Sequence, residues 1–196
     1  MKKLLVTGFN PFDERGYNTS SEIFEFLPDQ IHDYKLVKKI IPVEWEQGRA
    51  ELLAQCEQTK PDAIFSMGMS KNNFLQFETL ARNHRKPDLT DNCNEIPKSS
   101  VISQTEPQTI PCTWPIPSLL PFTFPNEMRM ESSDNAGGYL CNQTFFLGTV
   151  YGKKCTPNIP VAFVHIPPKS ADGGASLKNI AENIIQIMTR GLVPQS

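Results

Sequence analysis

Lys3-Leu4-Leu5-Val6-Thr7-Gly8 is a short apolar run closed by a glycine, the pattern of a strand buried on both faces of a parallel sheet. Preceded by Met1-Lys2, it begins like a signal peptide, but the run breaks within about six residues, too short for a secretory core. It therefore reads as the first strand of a cytoplasmic protein. Downstream, Ser20-Ser21-Glu22 opens a helix with Ile23, Phe24 and Leu27 inward, and Pro28 stops it. A second strand, 35–41, ends at Pro42. Positions 44–58 form a second helix that packs Trp45, Leu52, Leu53 and Cys56 and stops at Lys60-Pro61-Asp62. Ala63-Ile64-Phe65-Ser66-Met67-Gly68 is the third strand. Strand, helix, strand, helix, strand in that order predicts an α/β layer sandwich.

The rest of the chain extends this layout. Positions 74–83 alternate Phe74, Gln76, Glu78 against Leu75, Phe77, Thr79, which suggests an antiparallel or edge strand. From 84 to 127 the chain is rich in Pro, Asn, Ser and Thr, and Pro107, Pro111, Pro115, Pro117, Pro121 and Pro125 restrict helix to short pieces. Its Trp114, Ile116, Leu119, Leu120, Phe122 and Phe124 must cover the core or a partner subunit. A helix over 141–151, a buried strand over 160–164 and an amphipathic helix over 175–190 follow. In the last, Leu177, Ile180, Ile184, Ile187 and Met188 share a face, and Gly191 is the expected stop. No repeat or linker divides residues 1–196, so a single domain is expected.

Composition narrows the function. With 39% hydrophobic residues, 20% charged residues and a net charge of −2, the chain has no global attraction for phosphate backbones or anionic lipid. Neither nucleic acid nor membrane is an expected partner. The cysteines, at 56, 93, 112, 141 and 155, are odd in number and include no Cys-x-x-Cys pair, which argues for a reduced compartment rather than a disulfide framework. His32, His84 and His165 fall at no helical ligand spacing, so the sequence predicts neither a metal nor any other cofactor.

The chemistry concentrates in Ser133-Asp134-Asn135-Ala136-Gly137-Gly138-Tyr139-Leu140-Cys141-Asn142 and in Val164-His165-Ile166-Pro167. Cys141 stands where a glycine turn enters a helix, and the free amides and dipole of a helix start favour the nucleophilic thiolate. The same residue equally fits a small core position. His165 ends a predicted central strand, where ligands gather in α/β sheets, and could move protons to and from a reacting group or be a hydrogen-bonded structural histidine. Glu78 is either a third member of such a site or a solvent-facing strand carboxylate. Phe9 and Phe12, just after the first strand, either anchor their loop or wall a small apolar pocket.

Taken together, these pieces resemble the pyrrolidone carboxyl peptidase family of cysteine exopeptidases, also called pyroglutamyl peptidase I, over nearly the whole chain. Gly8-Phe9-Asn10-Pro11-Phe12 is similar to the family's opening loop; Glu78, Ala81, Asn83 and Asp91-Asn92 match its glutamate segment; 135–142 and 164–167 resemble its nucleophile and histidine motifs. The resemblance implies a single α/β/α sandwich with a mostly parallel twisted sheet flanked by helices, commonly a homotetramer in the cytoplasm. It implies that peptides with an N-terminal pyroglutamate are the substrates and that no cofactor is used. Cys141 would be the nucleophile, His165 the general base and acid, Glu78 the residue orienting the imidazole, and Phe9 with Phe12 would sandwich the uncharged lactam ring.

Four departures from the family pattern stand out. Asp13 replaces a glycine, Asn18-Thr19-Ser20 replaces Asn-Pro-Ser/Thr, and 68–74 is less glycine-rich. At the position of a family arginine near the oxyanion stands Asp88, which cannot donate to one, although Arg85 and Lys86 are close in sequence. The alternatives to a pyroglutamyl peptidase are therefore a weak or silent binding protein on the same fold and a cysteine amidase of altered specificity.

Overall fold

In the computed structural model, residues 1–12, 16–115, 122–169 and 176–192 are described. The opening run is strand β1, Lys2–Phe9, and its side chains alternate between two cores. Leu4 and Val6 enter one and Leu5 the other, so both faces are covered, as the unbroken apolar run requires. After β1 come a single helical turn α1, Thr19–Glu22, and a 3-10 turn, Ile23–Phe26. The short strand β2, Gln30–Ile31, then leads to β3, Tyr34–Ile41; helix α2, Trp45–Thr59; and β4, Ala63–Met69.

Strands β5, Leu75–Glu78, and β6, Leu80–Arg82, come next, then β7, Thr109–Pro111; β8, Phe122–Thr123; and β9, Arg129–Ser133. Helix α3, Leu140–Lys154, strand β10, Val161–Ile166, and helix α4, Leu177–Leu192, complete the order. Eight strands form one sheet in the order β2-β3-β1-β4-β10-β5-β9-β8, and β6 pairs with β7 separately. β3, β1, β4 and β10 are mutually parallel; β5 runs antiparallel to β10 and parallel to β9. Phe65, Met67 and Val164 pack toward Ile180, Ile184 and Met188 of α4, while Ile64 and Phe163 pack toward Leu52 of α2 and Phe145 and Phe146 of α3. The expected α/β/α sandwich, with a mostly parallel sheet between helices, is the observed fold.

Several boundaries differ from the sequence reading. The strand expected over 74–83 is cut at Thr79, whose amide and hydroxyl both donate to the Ser133 carbonyl, at 2.7 and 2.9 Å. Its two halves thus join different sheets, and β5 lies inside the sheet rather than at an edge. β2 and β9 carry too few apolar residues to have been expected, and the proline-rich region contributes the short strands β7 and β8. Trp114 and Phe124 of that region are core residues. Ile116, Pro117, Leu119, Leu120 and Pro121 lie outside the described residues, as do Asp13 and Ala175.

Gly191 is a further correction, because it lies inside α4 instead of ending it. A Cβ there would collide with the indole Nε1 of buried Trp114. The glycine is thus a packing surface for the indole, which also meets Phe65 edge-on at 5.2 Å. Gly191→Ala should destabilise the fold by about 1–3 kcal/mol through overpacking, despite alanine's higher helix propensity. Urea unfolding with an unchanged slope and a lower midpoint would register this effect.

Candidate active site

The site forms on the sheet face that carries α2 and α3, and strand parity selects its members. His165 on β10 is in register with Gly68 on β4 and with Gln76 on the antiparallel β5. Residues two apart on a strand share a face, so Phe163 joins His165 and Glu78 joins Gln76. Glu78 is thereby a diagonal cross-strand neighbour of His165, within reach of a long side chain. The contact is made: His165 Nδ1 and Glu78 Oε1 are 2.7 Å apart, with the Glu78 side chain 1% exposed and that of His165 13%. Phe163 supports the imidazole edge-on at 5.0 Å.

Cys141 approaches the same face from above. Tyr139 is the N-cap of α3 and caps it with no side-chain hydrogen bond, and Gln143 N bonds back to Tyr139 O at 3.2 Å. Cys141 is therefore in the first turn, where backbone amides lack partners within the helix. The thiol fills the space a side chain at position 68 would need, since a Cβ on Gly68 would lie 2.7 Å from Cys141 Sγ and 3.0 Å from the Phe163 ring. With Nδ1 engaged by Glu78, Nε2 is the imidazole nitrogen left for the thiol, the group that most raises the His165 pKa.

The electrostatics follow from this packing. Burial works against a charged His165, but attraction to the Cys141 thiolate and a hydrogen bond to it, followed by the hydrogen bond and charge of Glu78, outweigh burial. The imidazole pKa rises from 6.5 to about 10. Because folding tightens this proton, the linked stabilisation is complete below the unfolded-chain value and is lost as pH rises through the folded one. Elsewhere, burial pushes the Cys56 and Cys112 thiols up to about 12, as expected of packing residues.

Beside the thiol lies a cavity of about 130 Å³ walled by Phe9, Phe12, Val43, Met69, Tyr139 and Leu140. Phe9 is buried and Phe12 half-buried; the Phe12 ring stands 5.4 Å from that of Tyr139, which meets Trp45 edge-on at 5.2 Å. Asn18, Ser70 and Lys71 are its polar members. A web of amides fixes the opening loop. Val43 N donates to Asn10 Oδ1 at 2.7 Å, Asn18 Nδ2 to Asn10 O at 3.1 Å, and Phe9 N to Ser20 Oγ at 2.9 Å. Asn92 Nδ2 donates to Pro11 O at 2.9 Å, while Asp91 Oδ2 accepts Trp45 N at the start of α2.

The structure thus brings Glu78, His165 and Cys141 together and sets Phe9 and Phe12 in one cavity with the thiol. Glu78 does not face solvent, and Cys141 is only partly buried. Asp88 is exposed and lines no described cavity with Cys141. Arg85 is no substitute for the absent arginine: it is buried, its Nε donates to Gln143 Oε1 at 2.6 Å, and burial lowers its pKa. Lys86 instead braces the glycine turn, with its amide on Gly138 O at 2.9 Å and its side chain against the space of a Gly138 Cβ. Tyr139, Asn18 and Lys71 received no site role from sequence; the position of Tyr139 within the nucleophile motif was the available signal.

Comparison with known proteins gives the family and the fold. A family model described as "Pyroglutamyl peptidase" matches residues 2–174. A pyrrolidone-carboxylate peptidase of Thermosipho melanesiensis is 28% identical over 97% of this chain and 94% of its own length. The structure of the Thermococcus litoralis pyrrolidone carboxyl peptidase superposes with a TM-score of 0.88 at 24% identity, covering 98% of this chain and 94% of that one. For the Thermus thermophilus enzyme the values are 0.81 and 26%, with 95% and 98% covered.

Replacing Cys141 by serine removes the charge that contributes most to raising the His165 pKa. In Cys141→Ser the imidazole should titrate well below about 10. Nuclear magnetic resonance of histidine-labelled protein, with only three histidines to assign, measures this directly.

Proposed function

The chain belongs to the pyroglutamyl peptidase family, and we propose that this cysteine peptidase removes N-terminal pyroglutamyl residues with Cys141 as nucleophile, His165 as general base and acid, and Glu78 as the residue that orients the imidazole. The observation that carries the assignment of roles is the buried 2.7 Å contact of Glu78 with His165, which leaves the other ring nitrogen for the Cys141 thiol.

The lactam ring enters the apolar cavity between Phe9 and Phe12, where a free α-amino group would lose its hydration without compensation. Cys141 Sγ attacks the scissile carbonyl carbon, and negative charge develops on its oxygen beside the unpaired amides at the start of α3. His165 passes its proton to the leaving nitrogen, the C–N bond breaks, and a thioester on Cys141 remains. His165, now neutral, takes a proton from water as the water oxygen attacks the thioester carbonyl. Collapse of that adduct expels the thiolate and regenerates the imidazolium pair. Asp88 adds no donor to this sequence, so backbone dipoles carry the oxyanion without a neighbouring arginine.

Residues 1–196 act as one domain in this reading, which also places the protein in the cytoplasm as a homotetramer. The free state of all five cysteines suits a reducing compartment. Among the described residues no helix is long and apolar enough to cross a membrane. Sedimentation velocity tests the tetramer.

Release of a fluorogenic amine from a pyroglutamyl substrate tests the peptidase. Wild type should turn it over, and Cys141→Ser should lose at least about 10⁴-fold in kcat. Glu78→Gln keeps the shape but not the charge and should lose roughly 10²–10⁴-fold in kcat with little change in KM. No turnover by folded wild type between pH 6 and 9 would reject the assignment.

Gly68→Ala is expected to separate chemistry from folding. The added methyl group displaces Sγ by a fraction of the 2.7 Å separation, and a misplacement near 1 Å costs about 10²-fold in rate. Single-turnover kinetics should show this loss while the melting temperature stays within a few degrees of wild type.

A further inference from the structure

His165 must hand its proton to the leaving nitrogen, so the leaving half of a peptide starts beside the imidazole. β10 ends at Ile166, and the next two residues, Pro167 and Pro168, line a second and larger cavity of about 540 Å³. Lys71 lines both this groove and the cavity holding Cys141. The two spaces therefore adjoin at Lys71.

The groove is suited to peptide. Asn179 supplies a side-chain amide and Asn72 a side-chain carbonyl on its wall that can pair with a backbone, with Asn72 Nδ2 donating to Gln76 Oε1. Its far wall is anchored: Asn126 Nδ2 donates to Asn179 O at 3.4 Å, and Asn126 Oδ1 accepts from Asn183 Nδ2 at 3.1 Å, with Asn183 only 1% exposed. Two cations and one carboxylate line the groove, and they are not equivalent. Lys169 is neutralised by Glu22 at 2.8 Å and lies over the Tyr17 ring. Glu127 is exposed on the turn between β8 and β9 and does not line the nucleophile's cavity. Lys71 has no carboxylate within ion-pair distance among the described residues, and of the charged groups lining the groove it alone also lines the cavity with Cys141.

We propose that this groove receives the leaving half of the substrate and that Lys71 makes the enzyme favour a carboxylate on the first leaving residue, either an acidic side chain or the chain terminus of a dipeptide. The inference rests on the pyroglutamyl-peptidase reading above and adds a specificity determinant to it. Lys71 is exposed, so the charge pair is screened and its effect is modest, about two- to fivefold.

The test measures kcat/KM for three amidated peptides, pyroglutamyl-aspartyl-alanine, pyroglutamyl-asparaginyl-alanine and pyroglutamyl-lysyl-alanine, and for pyroglutamyl-alanine as free acid and as amide. Aspartyl over asparaginyl should favour the acid about two- to fivefold at low ionic strength, with lysyl below both, and the gap should close in high salt. In Lys71→Gln the aspartyl-to-asparaginyl ratio should fall to about one, and in Lys71→Glu the order should invert. Each variant is judged on a ratio of two substrates, so a general loss of activity cancels, and thermal unfolding verifies folding. Preference confined to the free-acid dipeptide supports Lys71 as a reader of chain termini. Equal rates for wild type on every member of the set, or a ratio preserved in Lys71→Gln, overturns the proposal and leaves the peptidase assignment standing. Absence of turnover on all of them overturns the assignment itself.

Discussion

The site depends on one hydrogen bond between strands that run in opposite directions. In a wholly parallel sheet, β5 would meet β10 in a different register and Glu78 would not be the diagonal neighbour of His165. The antiparallel insertion brings Gln76 opposite His165 and Glu78 one step beyond, on the same face. A 1% exposed carboxylate is costly to bury, and Glu78 Oε2 has no protein partner among the described residues. The hydrogen bond to His165 offsets part of that cost, and Glu78 and Cys141 together favour the protonated imidazole against its burial. The three groups are interdependent, which is why removing one disturbs the others.

The cavity beside the thiol has a different physical basis. Its walls come from loops, which a hydrophobic core does not hold in place by itself. Asn10, Asn18, Asp91 and Asn92 do so by hydrogen bonds to the backbone, joining the end of β1, the start of α2 and the long loop after β6. Asn142, just after the nucleophile, adds the other side: its Nδ2 donates to the carbonyls of Arg82 and His84 at 2.7 and 2.8 Å and its Oδ1 accepts Arg82 N at 3.0 Å. The proline-rich and asparagine-rich segment, which has little regular structure, thereby shapes a pocket before any ligand arrives.

Legibility in the sequence followed the strength of local signals. The parallel strands and the helix over 177–192 were readable because unbroken apolar runs and a one-sided apolar stripe leave few alternatives, and the helix over 45–59 because Lys60-Pro61-Asp62 marks its end. β2, β7, β8 and β9 were not, since strands of two to five residues with exposed positions are set by their partners. Gly191 misled because a glycine late in a helix usually marks its end, and only the distant Trp114 explains it here. At the site, Cys141 and His165 stood in distinctive local contexts. The burial of Glu78 required the strand register, and the position of Lys71 required the juxtaposition of two loops.

Asp88, standing where the resemblance implies an arginine, separates two ways of stabilising an oxyanion. A cation attracts it at long range but also attracts the resting thiolate, whereas amides in a helix's first turn act only on an atom held at hydrogen-bond distance. Cys141 sits in that turn, and Gly68 and Phe163 limit where its sulfur can be. Lys86, next to the vacant arginine role, is committed to Gly138 and so helps set the conformation of the turn that presents the amides. The charge of Lys71 stands where the two cavities adjoin, and in the proposed reading it bears on which peptide is bound more than on the developing oxyanion. Without an arginine at that position the demand falls on geometry: the tighter the thiol is confined over Gly68, the more of the barrier the backbone dipoles can remove.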